Sequence, residues 1–311
     1  MSRSSLVDGM AARMGVRVPE LPPGQPGDPG LFGPGSVVWM VGRERALLAG
    51  GQAALLLQLA HPLVAAGVGD HSRFRDDPMA RLRTTLEAVL AITFGDLRQC
   101  KRAAAGVRAV HRRVSGSLPE QAGRFPAGTT YDAADPDLAL WVHATLVVTA
   151  LDTFDRFVGP LNQAQRTRYF DETVPFAGLF GAGPEVLPAT YQHFVAYVDS
   201  MLNGPDLTVS PVALHAAHQV LHPPLPRGLR PMGWAARVAT TALLPERIRR
   251  AYGLPFGPSE RVLFAALTTA SRTLLPLLPV TARFWPHYLS ALRRAEEGVP
   301  QPPSGNDRDL R

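Results

Sequence analysis

Nine histidines are the residues of this chain best able to do chemistry, and three of them sit where helical periodicity turns them inward. In "VRAVHRRVSG", residues 107–116, Val107, Val110, His111 and Val114 recur at i, i+3, i+4 and i+7. That spacing puts His111 on an apolar stripe, while Arg108, Arg112 and Arg113 take the other faces. His143 aligns with Leu140, Val147, Ala150 and Phe154 in "DLALWVHATLVVTALDTF", and it too faces inward. His61 interrupts the apolar run "ALLAGGQAALLLQLAHPLVAAGVG", residues 46–69. A lone buried imidazole is usually a core residue bonded to a backbone carbonyl. Three in one helical core are a heavier burden, because each must find partners or cost roughly 1–3 kcal/mol.

Arg81 and Thr85, at i and i+4 in "ARLRTTLEAVLAITFG", share a helix face with Leu82, Val89 and Ile92 beside it. A buried arginine needs an anionic partner, and a haem propionate, a substrate carboxylate or a nearby Asp would each serve. An exposed Arg81–Asp77 pair at the helix start is the plainer alternative. Inward histidines with few carboxylates suit a haem iron better than a di-iron centre, which calls for inward Glu and Glu-x-x-His pairs that are not found. His215, His218 and His222 have a metal-like spacing. His222, however, precedes Pro223 and Pro224, where the helix should already have stopped, so the three lack a common face. His71, His193 and His287 stand in polar or ambiguous contexts and read as ordinary residues. There is no G-x-S-x-G, no H-E-x-x-H and no Gly-rich phosphate loop after a strand.

The elements that must position these side chains are helices. Of the 311 residues 46% are hydrophobic and only 19% charged, which makes the chain globular and able to bury a large core. The formal charge of +6 and the pI of about 10.1 invite a nucleic-acid reading. The arginines are scattered and often sit beside acids, however, and Lys101 is the only lysine, so no basic footprint forms. Cys100 is the only cysteine, which excludes an intrachain disulfide, a Cys-based metal site within one chain and a C-x-x-C-H haem tether.

Pro- and Gly-rich residues 1–36 read as an arm, residues 37–298 as one all-α domain, and residues 299–311 as a disordered tail. Helices are expected over 43–67, 78–94, 96–115, 136–158, 161–172, 185–202, 210–220, 233–251, 258–275 and 280–297, with no strands. Asp77–Pro78 and Asp135–Pro136 mark two helix starts, and Gly116 suits a helix stop after His111. The run 46–69 is long enough to span a membrane. Gln52, Gln58 and His61 interrupt it and Pro62 bends it, so it reads as a buried helix. The N-terminus has no apolar core of a secretory signal, which makes a cytoplasmic location the default.

Taken in order, "LAHPLVAAGVGDHSRFRDDPMARLRTT", "TFGD", "VRAVHRRVSG" and "YDAADPDLALWVHATL" resemble the family of rubber oxygenase (latex clearing protein) and the fungal MpaB-type oxygenases. The similarity runs from about Leu31 to about residue 202, with a weaker continuation to 297. It implies a mostly α, single-domain multi-helix bundle that encloses a non-covalent haem b and activates O₂. It also implies an R-x-x-x-T motif, matched by Arg81 and Thr85, upstream of a histidine that ligates the iron, matched by His111. Members can carry a distal lysine immediately before the motif threonine; here that residue is Thr84.

The expected protein is therefore a haem-dependent oxygenase of an apolar or aromatic small molecule. His111 binds the iron, Arg81 and His61 contact the cofactor, and Arg81, Thr85 and His143 serve the chemistry. Its partners are the substrate and O₂, without nucleic acid or a membrane span, and "ERIRRAYG" offers a peripheral membrane contact. The alternative is a non-catalytic helical carrier of haem or lipid.

Overall fold

The computed structural model describes residues 19–71 and 78–297, and among them the side chains other than those of 70–82. The described part of the arm, from Pro19 to Ser36, ends in helix α1 (Val37–Gly42), which Ser36 caps by accepting from the Trp39 N–H. The expected helix 43–67 is interrupted. A 3₁₀ turn at Arg45–Leu47 leads into α2 (Leu48–Leu59), and α3 (Pro62–His71) follows after a break of 104°. Pro62 cannot donate to the preceding turn. The Gln58 carbonyl accepts from His61 N instead, and the Ala60 carbonyl at the break accepts from Thr208 N, 2.9 Å away.

α4 (Pro78–Phe94) and α5 (Leu97–His111) form an antiparallel hairpin about Gly95 and Asp96. The cap expected from Asp77 lies outside the described residues. α5 stops at His111, four residues short of the expected end, and Gly116 belongs to the strand β1 (Ser115–Ser117) rather than to a helix stop. β1 pairs antiparallel with β2 (Thr130–Asp132), a short hairpin that corrects the expectation of no strands. Three-residue strands are too short for alternation to register in a sequence.

α6 (Pro136–Phe157) begins as expected, with Asp135 accepting from the Asp137 N–H at 2.8 Å. It is the central helix, and it is also long and apolar enough to cross a membrane, although 61% of its most apolar stretch is buried within the protein. α2 crosses it closely because Gly50 has no side chain: a Cβ there would stand 2.1 Å from Thr153 Oγ1. α7 (Gln163–Gly178) continues past its expected end, through Pro175, and α8 (Tyr191–Asn203) starts only after Thr190 caps it. α9 (Pro211–Leu221) ends before His222.

The expected helix 233–251 is two, α10 (Arg230–Leu243) and α11 (Glu246–Ala251), parted at Pro245. α12 (Pro258–Leu274) is followed by a 3₁₀ turn, Leu275–Leu277. The expected helix 280–297 divides into α13 (Val280–Arg283) and α14 (Pro286–Glu296) at Pro286. Each proline ends a helix because the residue before it is pushed out of the helical region.

Buried polar contacts stitch the arm down. Asp96 accepts from Gln25 N at 2.9 Å and from Gln99 N at 2.7 Å, and Gln99 reaches back to the Pro22 carbonyl. Arg294 on α14 donates to the Asp28 carbonyl and its own carbonyl accepts from Gly27 N. His287, read from the sequence as ordinary, is buried with Nε2 3.0 Å from the Pro19 carbonyl oxygen. Gly30, at φ +77°, passes so near the Gly95 carbonyl that a Cβ would sit 2.1 Å from it. A second clamp joins distant parts of the chain. Buried Glu44 receives a two-point ion pair from Arg283, with Nη2–Oε1 at 2.6 Å and Nε–Oε2 at 2.9 Å.

Candidate functional site

Four helices, joined by Val38 and Gly42 of α1, line a common chamber of about 280 Å³. α6 contributes His143, Leu146, Val147 and Ala150, at i, i+3, i+4 and i+7. α7 contributes Tyr169, Thr173 and Phe176 with the same helical period, and α4 contributes Thr85, Leu86, Val89 and Leu90. Leu48, Gly51, Leu55 and Gln58 of α2 close another side, and Trp285 completes the rim. Most of these side chains are aliphatic or aromatic, as in sites that bind apolar ligands.

Two polar atoms on the α6 wall are buried without a hydrogen-bond partner: His143 Nδ1 and Thr149 Oγ1. The other ring nitrogen of His143, Nε2, is in a long 3.4 Å contact with Thr173 Oγ1. Thr173 gives its single hydroxyl proton to the Phe170 carbonyl, 2.8 Å away, so toward His143 it can only accept. A hydrogen bond across this contact would require the imidazole proton on Nε2, which would leave Nδ1 a bare lone pair. Burial pushes the His143 pKa down to about 4, so the ring is neutral at physiological pH. Tyr169, also on the wall, is held above its ordinary pKa by burial first and by Glu172 second, and it stays a protonated phenol.

Thr85 and His143 therefore both line one chamber, His143 from a buried position and Thr85 from an exposed one. The Arg81 side chain lies outside the described residues. Its backbone sits on the first turns of α4, and counting out from the Gly95–Asp96 turn sets His111 about level with it across the hairpin.

His111 itself does not line the described chamber walls. It is half-buried, with its ring 6.4 Å from Phe180, and Val110 beside it is 61% exposed. The inward stripe read from 107–114 is thus only partly inward: α5 packs through Cys100 and Ala104 against Ile92 of α4 and against Phe176 and Phe180, and Val110 is left exposed. His61 is buried elsewhere, at the α2–α3 break, with its ring 5.3 Å from Phe125 and its Nδ1 without a hydrogen-bond partner. Its pKa is lowered to about 4, chiefly by burial, with Asp206 opposing that shift. His218 and His222 stack at 4.7 Å, and no group of three or more potential metal ligands occurs among the described residues.

Sequence reasoning missed Tyr169 and Thr149. Thr145, Thr149 and Thr153 recur every four residues along α6, a hydroxyl stripe that was visible in "HATLVVTALDTF". Threonines in helices usually satisfy themselves on the carbonyl of the preceding turn, as Thr145 does on Val142, so the stripe by itself pointed to no site.

Residues 38–273 match the model of the ER-bound oxygenase mpaB/B'/rubber oxygenase catalytic domain. The matched span holds Arg81, Thr85, His111 and His143, and every chamber wall residue named above except Trp285. No curated protein and no solved structure matches the chain. With a helical chamber built from the matched residues and well over half of its length covered, the chain belongs to the mpaB/rubber oxygenase catalytic-domain family, a family of oxygenases.

Proposed function

We propose that the protein is a haem b-dependent oxygenase that uses O₂ on an apolar or aromatic small molecule. One observation carries this reading: an apolar chamber whose α6 wall presents two buried, unpartnered polar atoms, His143 Nδ1 and Thr149 Oγ1. Left unmet, each costs roughly 1–3 kcal/mol, which favours an occupant that is largely apolar but brings a polar or metal centre. Neutral imidazole and aliphatic walls fit a non-covalent haem in this respect. When bound, such a group supplies the redox iron that activates O₂.

The family resemblance assigns the iron to His111, with Arg81 and Thr85 on the facing helix of the same hairpin. The chain's own chemistry then follows from the chamber. Aliphatic side chains on α2, α4 and α6 hold the apolar substrate and exclude water. His143, with its proton on Nε2, offers Nδ1 to receive a proton or to orient a polar group of the substrate. Tyr169, one turn before Thr173 on α7, can donate a hydrogen bond. A specific observation favours a second assignment within the same function, in which His143 is the iron ligand: it lines the chamber and His111 does not. We read 46–69 and α6 as core helices, since both pack against the rest of the protein and the first is sharply bent.

The test is the absorption spectrum of the purified protein together with its oxygen consumption. A Soret band that acidic acetone removes, plus substrate-dependent O₂ uptake, supports the oxygenase. A haem protein that consumes no O₂ with any apolar candidate would be a carrier. A colourless protein that is silent to added hemin would overturn the haem reading.

A further inference from the structure

We infer that the leucine–proline tip between α12 and α13 docks the protein onto an anionic lipid surface. Leu274, Leu277, Leu278 and Val280 are 56%, 76%, 43% and 56% exposed, within seven consecutive residues. Pro276 and Pro279 stiffen the segment, so these side chains are presented rather than folded back. Single exposed leucines are ordinary, whereas a contiguous cluster marks a surface that meets something apolar.

Charge decides what that something is. No Asp or Glu occurs between Glu260 and Glu296, while Arg261, Arg272, Arg283, Arg293 and Arg294 do. Glu44 neutralises Arg283. Arg272, two residues before the tip, donates instead to the backbone carbonyl of Asp155, whose carboxylate is engaged by Arg166. Arg272 is itself exposed and stands two residues before the leucines. An aliphatic tip flanked by arginine suits a bilayer interface, with the leucines in the acyl region and the cation at the phosphates. The same charge disfavours a second copy, because two tips that each carry Arg272 would repel each other.

Elements next to the tip also line the chamber. Ser271 bonds the Phe157 carbonyl at the C-terminal end of α6. Five residues beyond Val280, Trp285 lines the chamber, and so does Leu48, which is 41% exposed. A surface seated on the tip would bring a lipid-dissolved apolar compound close to those elements. The docking stands independently of the oxygenase reading, since vesicle binding is measured without turnover.

The experiment is co-sedimentation of the full chain with vesicles of equal parts phosphatidylcholine and phosphatidylserine, against vesicles of phosphatidylcholine alone. The wild type should bind the mixed vesicles more tightly. Leu277→Ser with Leu278→Ser should weaken that binding at least about tenfold, with an unchanged melting temperature because both side chains are exposed. Arg272→Gln should remove part of the gain that phosphatidylserine confers and leave the rest. Absence of binding to either vesicle, or binding indifferent to the double serine variant, overturns the inference. So does a wild-type dimer that the double variant converts to a monomer, which would give the tip to a second copy of the chain.

Discussion

His143 and His111 stand at the two ends of one row of aromatic rings. His143 stacks on Phe176 at 6.2 Å, Phe176 meets Phe180 at 5.2 Å, and Phe180 lies 6.4 Å from His111. The two imidazoles are thus separated by the rings of Phe176 and Phe180, and a variant at each histidine tells which of them holds a bound group. With His111 as the ligand, His111→Ala abolishes haem retention or leaves a site that added imidazole rescues. His143→Ala then keeps the haem and alters oxygen reactivity. The Soret spectra of the two variants check this, and the reverse pattern would move the iron to the chamber wall at His143.

Thr85 lines the chamber and Arg81 lies one helical turn before it. Thr85→Ala and Arg81→Ala are expected to lower turnover by about tenfold or more while haem content falls much less. Haem quantified by pyridine haemochrome beside initial rates separates the effects. Parallel loss of haem and rate would make both residues cofactor supports, Arg81 most simply as a propionate partner.

The Glu44–Arg283 clamp joins residues 239 apart in the chain, with Glu44 1% exposed. Glu44→Gln leaves the guanidinium without its counter-charge. Because Arg283 retains some solvent contact, the expected loss is about 2–4 kcal/mol, between a surface pair and a fully buried one. Urea unfolding measures it. The double variant Glu44→Met with Arg283→Leu should lose less than the sum of the two single changes, and simple additivity would show that the pair does not act as a clamp.

Asp96 ties the α4–α5 turn to the arm. Burial alone would raise its pKa, yet the N–H groups of Gln99 and Gln25, and then Arg294, hold it below the ordinary value of 3.8. A lowered folded pKa stabilises the fold above the ordinary value, and that contribution is lost as pH falls through the folded one. Asp96→Asn should therefore cost about 1–2 kcal/mol at neutral pH. The gap from wild type should shrink once the pH drops below 3.8. Urea melts at neutral and strongly acidic pH compare the two, and a gap that does not change with pH would remove the carboxylate charge from the explanation.

What the sequence alone determined is what one or two turns of chain decide. Asp135 and Pro136 started α6 where they stand, since a cap acts on amides within three residues. Pro62 broke the apolar run 46–69, and the 3.6-residue period put His143, Val147 and Ala150 on one face. The family blocks, being local as well, were equally readable. The tertiary structure decided whatever depends on how far one helix is covered by another. Val107, Val110, His111 and Val114 have the same spacing as a core stripe, yet Val110 is 61% exposed while His111, the next residue, is half-buried beside Phe180. Conversely, a helix threonine such as Thr149 carries no signal of its own in the sequence, and only the packing of α6 against its neighbours buried its hydroxyl on the chamber wall. Pairings such as Glu44 with Arg283, or Asp96 with Gln25, carry no periodic signal. Their partners are brought together by the angles at which helices cross, and those angles are set by close contacts such as Gly50 against Thr153 rather than by the residues that meet.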